Sequence, residues 1–98
     1  MIIKDILDQL TLSDRPVARV IRSSPQFKTL IIALKAGMVW PNHKATLPTI
    51  LIVTEGSVVY KKGDRQVQLN KHDDYQIPVD IIHSLKAEED SICILIQG

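Results

Sequence analysis

Ninety-eight residues suffice for one hydrophobic core and are too few for two, so a single domain is expected. The hydrophobic fraction of 45% is that of a folded chain, and 12 basic against 11 acidic residues leave a net charge of only +1, too weak a field to steer it onto nucleic acid or an anionic membrane. Cys93 is the only cysteine, which excludes an internal disulfide and any zinc site built from paired cysteines.

Ile2, Ile3, Ile6, Leu7 and Leu10 recur at three-to-four spacing with Lys4, Asp5, Asp8 and Gln9 between them, which predicts a short amphipathic helix over the first ten residues. Its polar face is not basic, so its expected role is packing on the domain rather than lying on a membrane. Met1 to Asp5 lacks the basic stretch, apolar run and cleavage site of a secretion signal. No apolar run approaches the roughly 18–20 residues that span a bilayer, and a reducing, cytoplasmic setting is the expectation.

From Pro16 onward the pattern is that of short strands. Val17 to Ile21 and Phe27 to Leu34 are rich in aliphatic and β-branched residues, with Ser23-Ser24-Pro25 between them. Gly37 ends the second run, and Trp40-Pro41 reads as a break. Thr49 to Thr54 follows, then a Glu55-Gly56 turn, Ser57 to Tyr60, a Gly63-Asp64 turn and Gln66 to Leu69. After a turn at His72-Asp73-Asp74 come Tyr75 to Ile77, His83 to Leu85 and Ile92 to Ile96. Short strands punctuated this regularly predict an all-β sandwich or barrel. Ile50 to Val53 and Ile92 to Ile96 are apolar on both faces, so their second face must meet another sheet, the N-terminal helix or another subunit. A homodimer is the economical expectation, because an open sheet edge and a broad apolar patch are both liabilities in a monomer.

The three histidines are His43, His72 and His83. Around them the chain resembles the small single-domain members of the cupin superfamily. Their first motif runs glycine, five residues, His-x-His, three or four residues, glutamate, six residues, glycine. Gly37, His43 and Gly56 fall on that spacing, but Ala45 stands in place of the second histidine and Thr49 in place of the glutamate. The second motif runs glycine, five residues, Pro-x-Gly, two residues, histidine, three residues, asparagine. Pro78 and His83 match, Asp73 follows its first position, and His72, Asp80 and Ala87 replace the two glycines and the asparagine. The resemblance covers roughly residues 28 to 96. It implies a double-stranded β-helix, that is, a jelly-roll barrel of cupin type over 17–97, with residues 1–12 as helix and turn and the whole chain 1–98 as one domain.

Cupin metal sites hold iron, manganese, zinc or nickel with three histidines and a glutamate, of which only His43 and His83 remain. An iron triad wants a carboxylate beside two histidines, and zinc wants three protein ligands. Alternation places Ala45 inward if His43 is inward, with Thr49, Leu51 and Val53 following on the next strand, none of them a strong ligand. Asp80 falls on the face opposite His83 by alternation. His72 sits in a turn, exposed, where a His-Asp step takes positive φ in place of glycine. Trp40 lies three positions before His43, on the opposite face by alternation, as core or interface packing. Cys93 in an Ile-Cys-Ile-Leu run reads as a small buried hydrophobe rather than a nucleophile.

The leading expectation is therefore small-molecule binding in the barrel, without strong metal-dependent catalysis. His43 and His83 would flank a pocket floored by Ala45, Thr49 and Leu51, with Tyr75 at its mouth. The first alternative is a metal-dependent enzyme of dioxygenase or isomerase type, using His43 and His83 as ligands. The second is a sensory module acting through a partner protein.

Overall fold

A computed structural model describes the backbone of residues 1–98 and every side chain except those of Asn42 and His43. The helix α1 spans Ile2–Thr11. Strands β1 (Val17–Ser24), β2 (Phe27–Leu34), β3 (Val39–His43), β4 (Thr49–Glu55) and β5 (Ser57–Lys62) follow. The chain closes with β6 (Arg65–Asn70), β7 (Asp74–Ile77), β8 (His83–Ala87) and β9 (Ser91–Gln97). Two antiparallel sheets, in the orders β1-β2-β9-β4-β7 and β3-β8-β5-β6, face each other as an all-β jelly roll. No helix among the described residues is long and apolar enough to cross a membrane.

The strands apolar on both faces find a partner for each. Alternation sends Ile32 and Leu34 of β2, with Cys93 and Leu95 of β9, into the space between the sheets. It sends Ile31 and Ala33 outward, onto Ile6 and Leu10 of α1, which are 1% and 6% exposed; Ile92 and Ile94 pack against the same cluster. Burying each of the two helix side chains contributes about 1.5–3 kcal/mol. The helix lacks a side-chain N-cap, and its C-terminal end is held by Lys35, whose Nζ donates to the carbonyls of Thr11 and Ser13 at 3.2 and 3.3 Å.

The expected break at Trp40-Pro41 is instead the strand β3. Proline offers no N–H to a ladder, yet β3 lies at a sheet edge, where that loss is tolerated. The register shifts between Trp40 and His43, so simple alternation between them does not hold. Trp40 pairs with Leu85 and packs half-buried against the interior cluster. The two non-glycine residues at glycine positions of the second motif both adopt positive φ, 75° at His72 and 63° at Asp80. The chain thus keeps the two turns while replacing the residue that makes them easiest.

The far end of the sandwich is pinned by Ser57 and Ser91. Ser57 N–H donates to Ser91 Oγ at 3.0 Å, and that hydroxyl lies 3.1 and 2.7 Å from the carbonyls of Ser57 and Glu89, which share its one proton. The opposite end carries the groups of chemical interest.

Candidate functional site at the open end of the barrel

Residues opposite one another in an antiparallel ladder share a face, so depth inside the barrel can be read in rows. In the five-stranded sheet the outermost inward row is Lys28, Gln97, Thr49 and Ile77, and the next is Leu30, Leu95, Leu51 and Tyr75. In the other sheet Trp40, Leu85, Tyr60 and Val67 form a row. His83 on β8 and Lys62 on β5 stand one step further out, toward the same end, because Ser84 pairs with Lys61. His43 pairs with His83 through the backbone; its side chain lies outside the described residues.

Three rings meet where the sheets close on each other. The Tyr60 and Tyr75 centroids are 4.7 Å apart at 45°, and Tyr60 stacks on His83 at 5.2 Å and 28°. His83 is 2% exposed. Its Nδ1 lies 3.1 Å from the Ile81 carbonyl, which can only accept, so Nδ1 carries a proton. Tyr60 is 1% exposed, and its hydroxyl has no hydrogen-bond partner among the described residues. Burial first, and the neighbouring Tyr75 second, raise that hydroxyl above the ordinary phenol range, so it remains protonated and able to donate.

The other expected site residues fall around this cluster. Thr49 is buried beside the mouth, and its hydroxyl donates to the Leu47 carbonyl at 2.9 Å. Leu51 is fully enclosed one row deeper, so the pocket floor of the sequence reading is the barrel core itself. Tyr75 is half-buried and touches Tyr60. Ala45 is buried and bridges to Val79 by backbone. Cys93 faces inward, and burial pushes its thiol up to about 12, which removes it as a nucleophile near neutral pH. An open groove of about 430 Å³ runs along the same end of the sheet, bordered by Pro48, Thr49, Ile50, Ile77, Pro78 and Val79.

Tyr60 was missing from the sequence-derived set. A signal existed: in Ser57-Val58-Val59-Tyr60 it shares the parity of Val58, and both are buried. Lys28 and Lys62 were missed too. They are half-buried on inward register positions, while their neighbours Phe27 and Lys61 are exposed.

Two of the four positions that hold a cupin metal carry no strong donor for it: Ala45 has none, and Thr49 offers only a neutral hydroxyl, which donates to the Leu47 carbonyl. His43, at a third, has its side chain outside the described residues.

No family model matches the chain, and no curated protein matches it by sequence. Solved structures do. A cupin superfamily protein from Desulfitobacterium hafniense is 14% identical, with a TM-score of 0.80 over 87% of this chain and 78% of its own. An RmlC-like cupin protein from Desulfovibrio desulfuricans is 22% identical, with a TM-score of 0.75 over 84% of this chain and 80% of its own. A salicylate 1,2-dioxygenase from Pseudoaminobacter salicylatoxidans, solved as adducts with gentisate, reaches 0.86 at 17% identity over 97% of this chain, which spans 31% of that protein. At these identities it is the shared fold that the likeness establishes.

Proposed function

We propose that this chain, a cupin in fold, binds a small aromatic acid at the open end of its barrel and does so without metal-dependent catalysis. The observation that carries this reading is the Tyr60 hydroxyl, buried against two rings with no protein partner among the described residues. Leaving such a group unpaired costs about 1–3 kcal/mol, so a partner beyond the described residues is favoured, and a ligand atom is one that suits it. The half-buried Tyr75 offers flat apolar surface, on which an aromatic ring packs. Lys28 and Lys62 stand on the inward side of the rim, and the rows they share hold no carboxylate, so an anionic end of the ligand is favoured there.

Titration with phenol, benzaldehyde and benzoate, followed by Trp40 fluorescence and calorimetry, separates the contributions. Benzoate should bind tightest. Tyr60→Phe should weaken it about fivefold, the worth of one hydrogen bond, and Lys28→Gln about tenfold, the worth of a charge-assisted one, while leaving phenol unchanged. No response to any of the three at millimolar concentration overturns the reading, as does equal binding of benzoate and phenol. Stoichiometric metal in protein purified from metal-replete cells overturns its metal-free part.

A further inference from the structure

The net charge of +1 is spread unevenly along the barrel. The closed end carries Glu55, Asp73, Glu88, Glu89 and Asp90, with Lys71 paired to Glu55 at 3.4 Å. The open end carries Lys28, Lys44, Lys61, Lys62 and Arg65, against Asp64 and Asp80. An anion approaching the molecule is therefore drawn toward the mouth, although the chain as a whole is almost neutral.

The inward cations of the open end fall into two groups, one on each sheet. Lys62 pairs with Arg65 across β5 and β6, and the Ser84–Lys61 pair sets Lys62 beside His83. Arg65 shares the parity of Val67 and Leu69, which pack in the interior. The matching row of the five-stranded sheet holds a single cation, Lys28, half-buried beside Gln97. Like charges directly opposite in an antiparallel pair repel, so placing Lys62 against Arg65 costs the fold stability. Among the described residues Lys28, Lys62 and Arg65 form no ion pair, and Asp64, in the turn between the last two, meets neither.

The two groups lie on different sides of the opening. β6 touches β4, and Tyr60 of β5 meets Tyr75 of β7, so the strands of Lys62 and Arg65 lie over the β4–β7 side of the facing sheet. Lys28 is on β2, two strands from β4, which is about 10 Å along the sheet, and facing sheets are about 10 Å apart. A carboxylate held by one group leaves the other unanswered. Arg65 offers a planar fork that matches a carboxylate, and Lys28 offers a point charge.

Taking the mouth as the ligand site proposed above, we propose that its ligand is a dianion, an aromatic dicarboxylate with its acid groups at opposite ends. Lys28 holds one acid group, and Lys62 with Arg65 holds the other. The second anion also relieves the repulsion that the fold carries without it.

Calorimetric titration with benzoate, terephthalate (acid groups opposed) and phthalate (acid groups adjacent) tests this at fixed ionic strength. Terephthalate should bind at least about tenfold tighter than benzoate through the added charge-assisted bond, and phthalate should stay within about threefold of benzoate. Arg65→Gln should remove the advantage of terephthalate and leave benzoate unchanged, whereas Lys28→Gln should weaken both. Arg65→Gln should also raise the melting point of the ligand-free protein by about 1–4 °C at low salt. Benzoate bound as tightly as terephthalate, or phthalate matching a tighter terephthalate, overturns the dianion and leaves the single-acid reading standing. Terephthalate bound where benzoate is not upholds the dianion and overturns the single-acid reading; no binding of either at millimolar concentration overturns both. Terephthalate affinity unchanged by Arg65→Gln overturns the second group, and a melting point lowered by it overturns the repulsion.

Discussion

Gly37 and Gly56 occupy equivalent letters of one motif, and the structure assigns them different costs of replacement. Both take positive φ, +86° and +83°. Alanine at either must enter the left-handed region, which costs about 1–2 kcal/mol. At Gly37 nothing lies within 4 Å of the added Cβ, so the cost ends there. At Gly56 the Cβ would collide with the Asp90 carbonyl oxygen and Ser91 Oγ, and it would lie 2.8 Å from Ser91 Cα. Overpacking of this kind adds about 1–3 kcal/mol. Displacing Ser91 Oγ also takes the acceptor from the buried Ser57 N–H, a further loss of about 1–3 kcal/mol if no other acceptor replaces it. The expected totals are about 3–8 kcal/mol for Gly56→Ala and about 1–2 for Gly37→Ala. A domain of this size holds about 5–15 kcal/mol in all, and each lost kcal/mol lowers its melting point by about 4–8 °C. Thermal melts followed by circular dichroism, with urea midpoints as a second measure, should place Gly56→Ala at least about 10 °C below Gly37→Ala. Melting points within about 3 °C of each other would show that φ alone sets the cost and that the close approach of Asp90 and Ser91 carries none.

Two further outcomes follow from the interior. The Cys93 thiol is held near 12 by burial, against 9.0 for the unperturbed group, so the folded chain keeps its proton where the unfolded chain has lost it. Stability should therefore fall as pH rises from about 9 toward 12, and Cys93→Ala should flatten that slope in urea titrations; an unchanged slope would remove the thiol as its source. Leu51 is 0% exposed within the interior cluster, so Leu51→Ala should cost about 2–5 kcal/mol by chemical denaturation, whereas a loss under 1 kcal/mol would mean that it borders open space.

The elements legible in the sequence were those whose periodicity is local. The helix over Ile2–Thr11 and the strand Phe27–Leu34 follow the apolar pattern closely, because each has one partner on each buried side. β3 was hidden by Pro41, which reads as a breaker until the strand is known to be an edge. Alternation set Trp40 on the face opposite His43 and left the face of Cys93 open, and both outcomes have a related reason. A register shift interrupts alternation after Trp40, and an Ile-Cys-Ile-Leu run offers no polar residue to mark the outside. The ring cluster joins β5, β7 and β8, so it depends on how the two sheets face each other and not on any one strand.

The motif positions separate by what they demand. Those that shape the backbone are met here, by glycine at 37 and 56 and by His72 and Asp80 bending into positive φ without glycine. Of the four that would supply donors to a metal, two are not met, since Ala45 has no donor and Thr49 has only a neutral hydroxyl. A turn constrains φ, which several residue types can reach at a cost of about 1–2 kcal/mol, so the fold tolerates such exchange. A metal centre constrains the donor atom itself, and no backbone adjustment replaces a missing imidazole or carboxylate. The barrel is thereby kept while two of the four positions that would hold a metal have lost their donors.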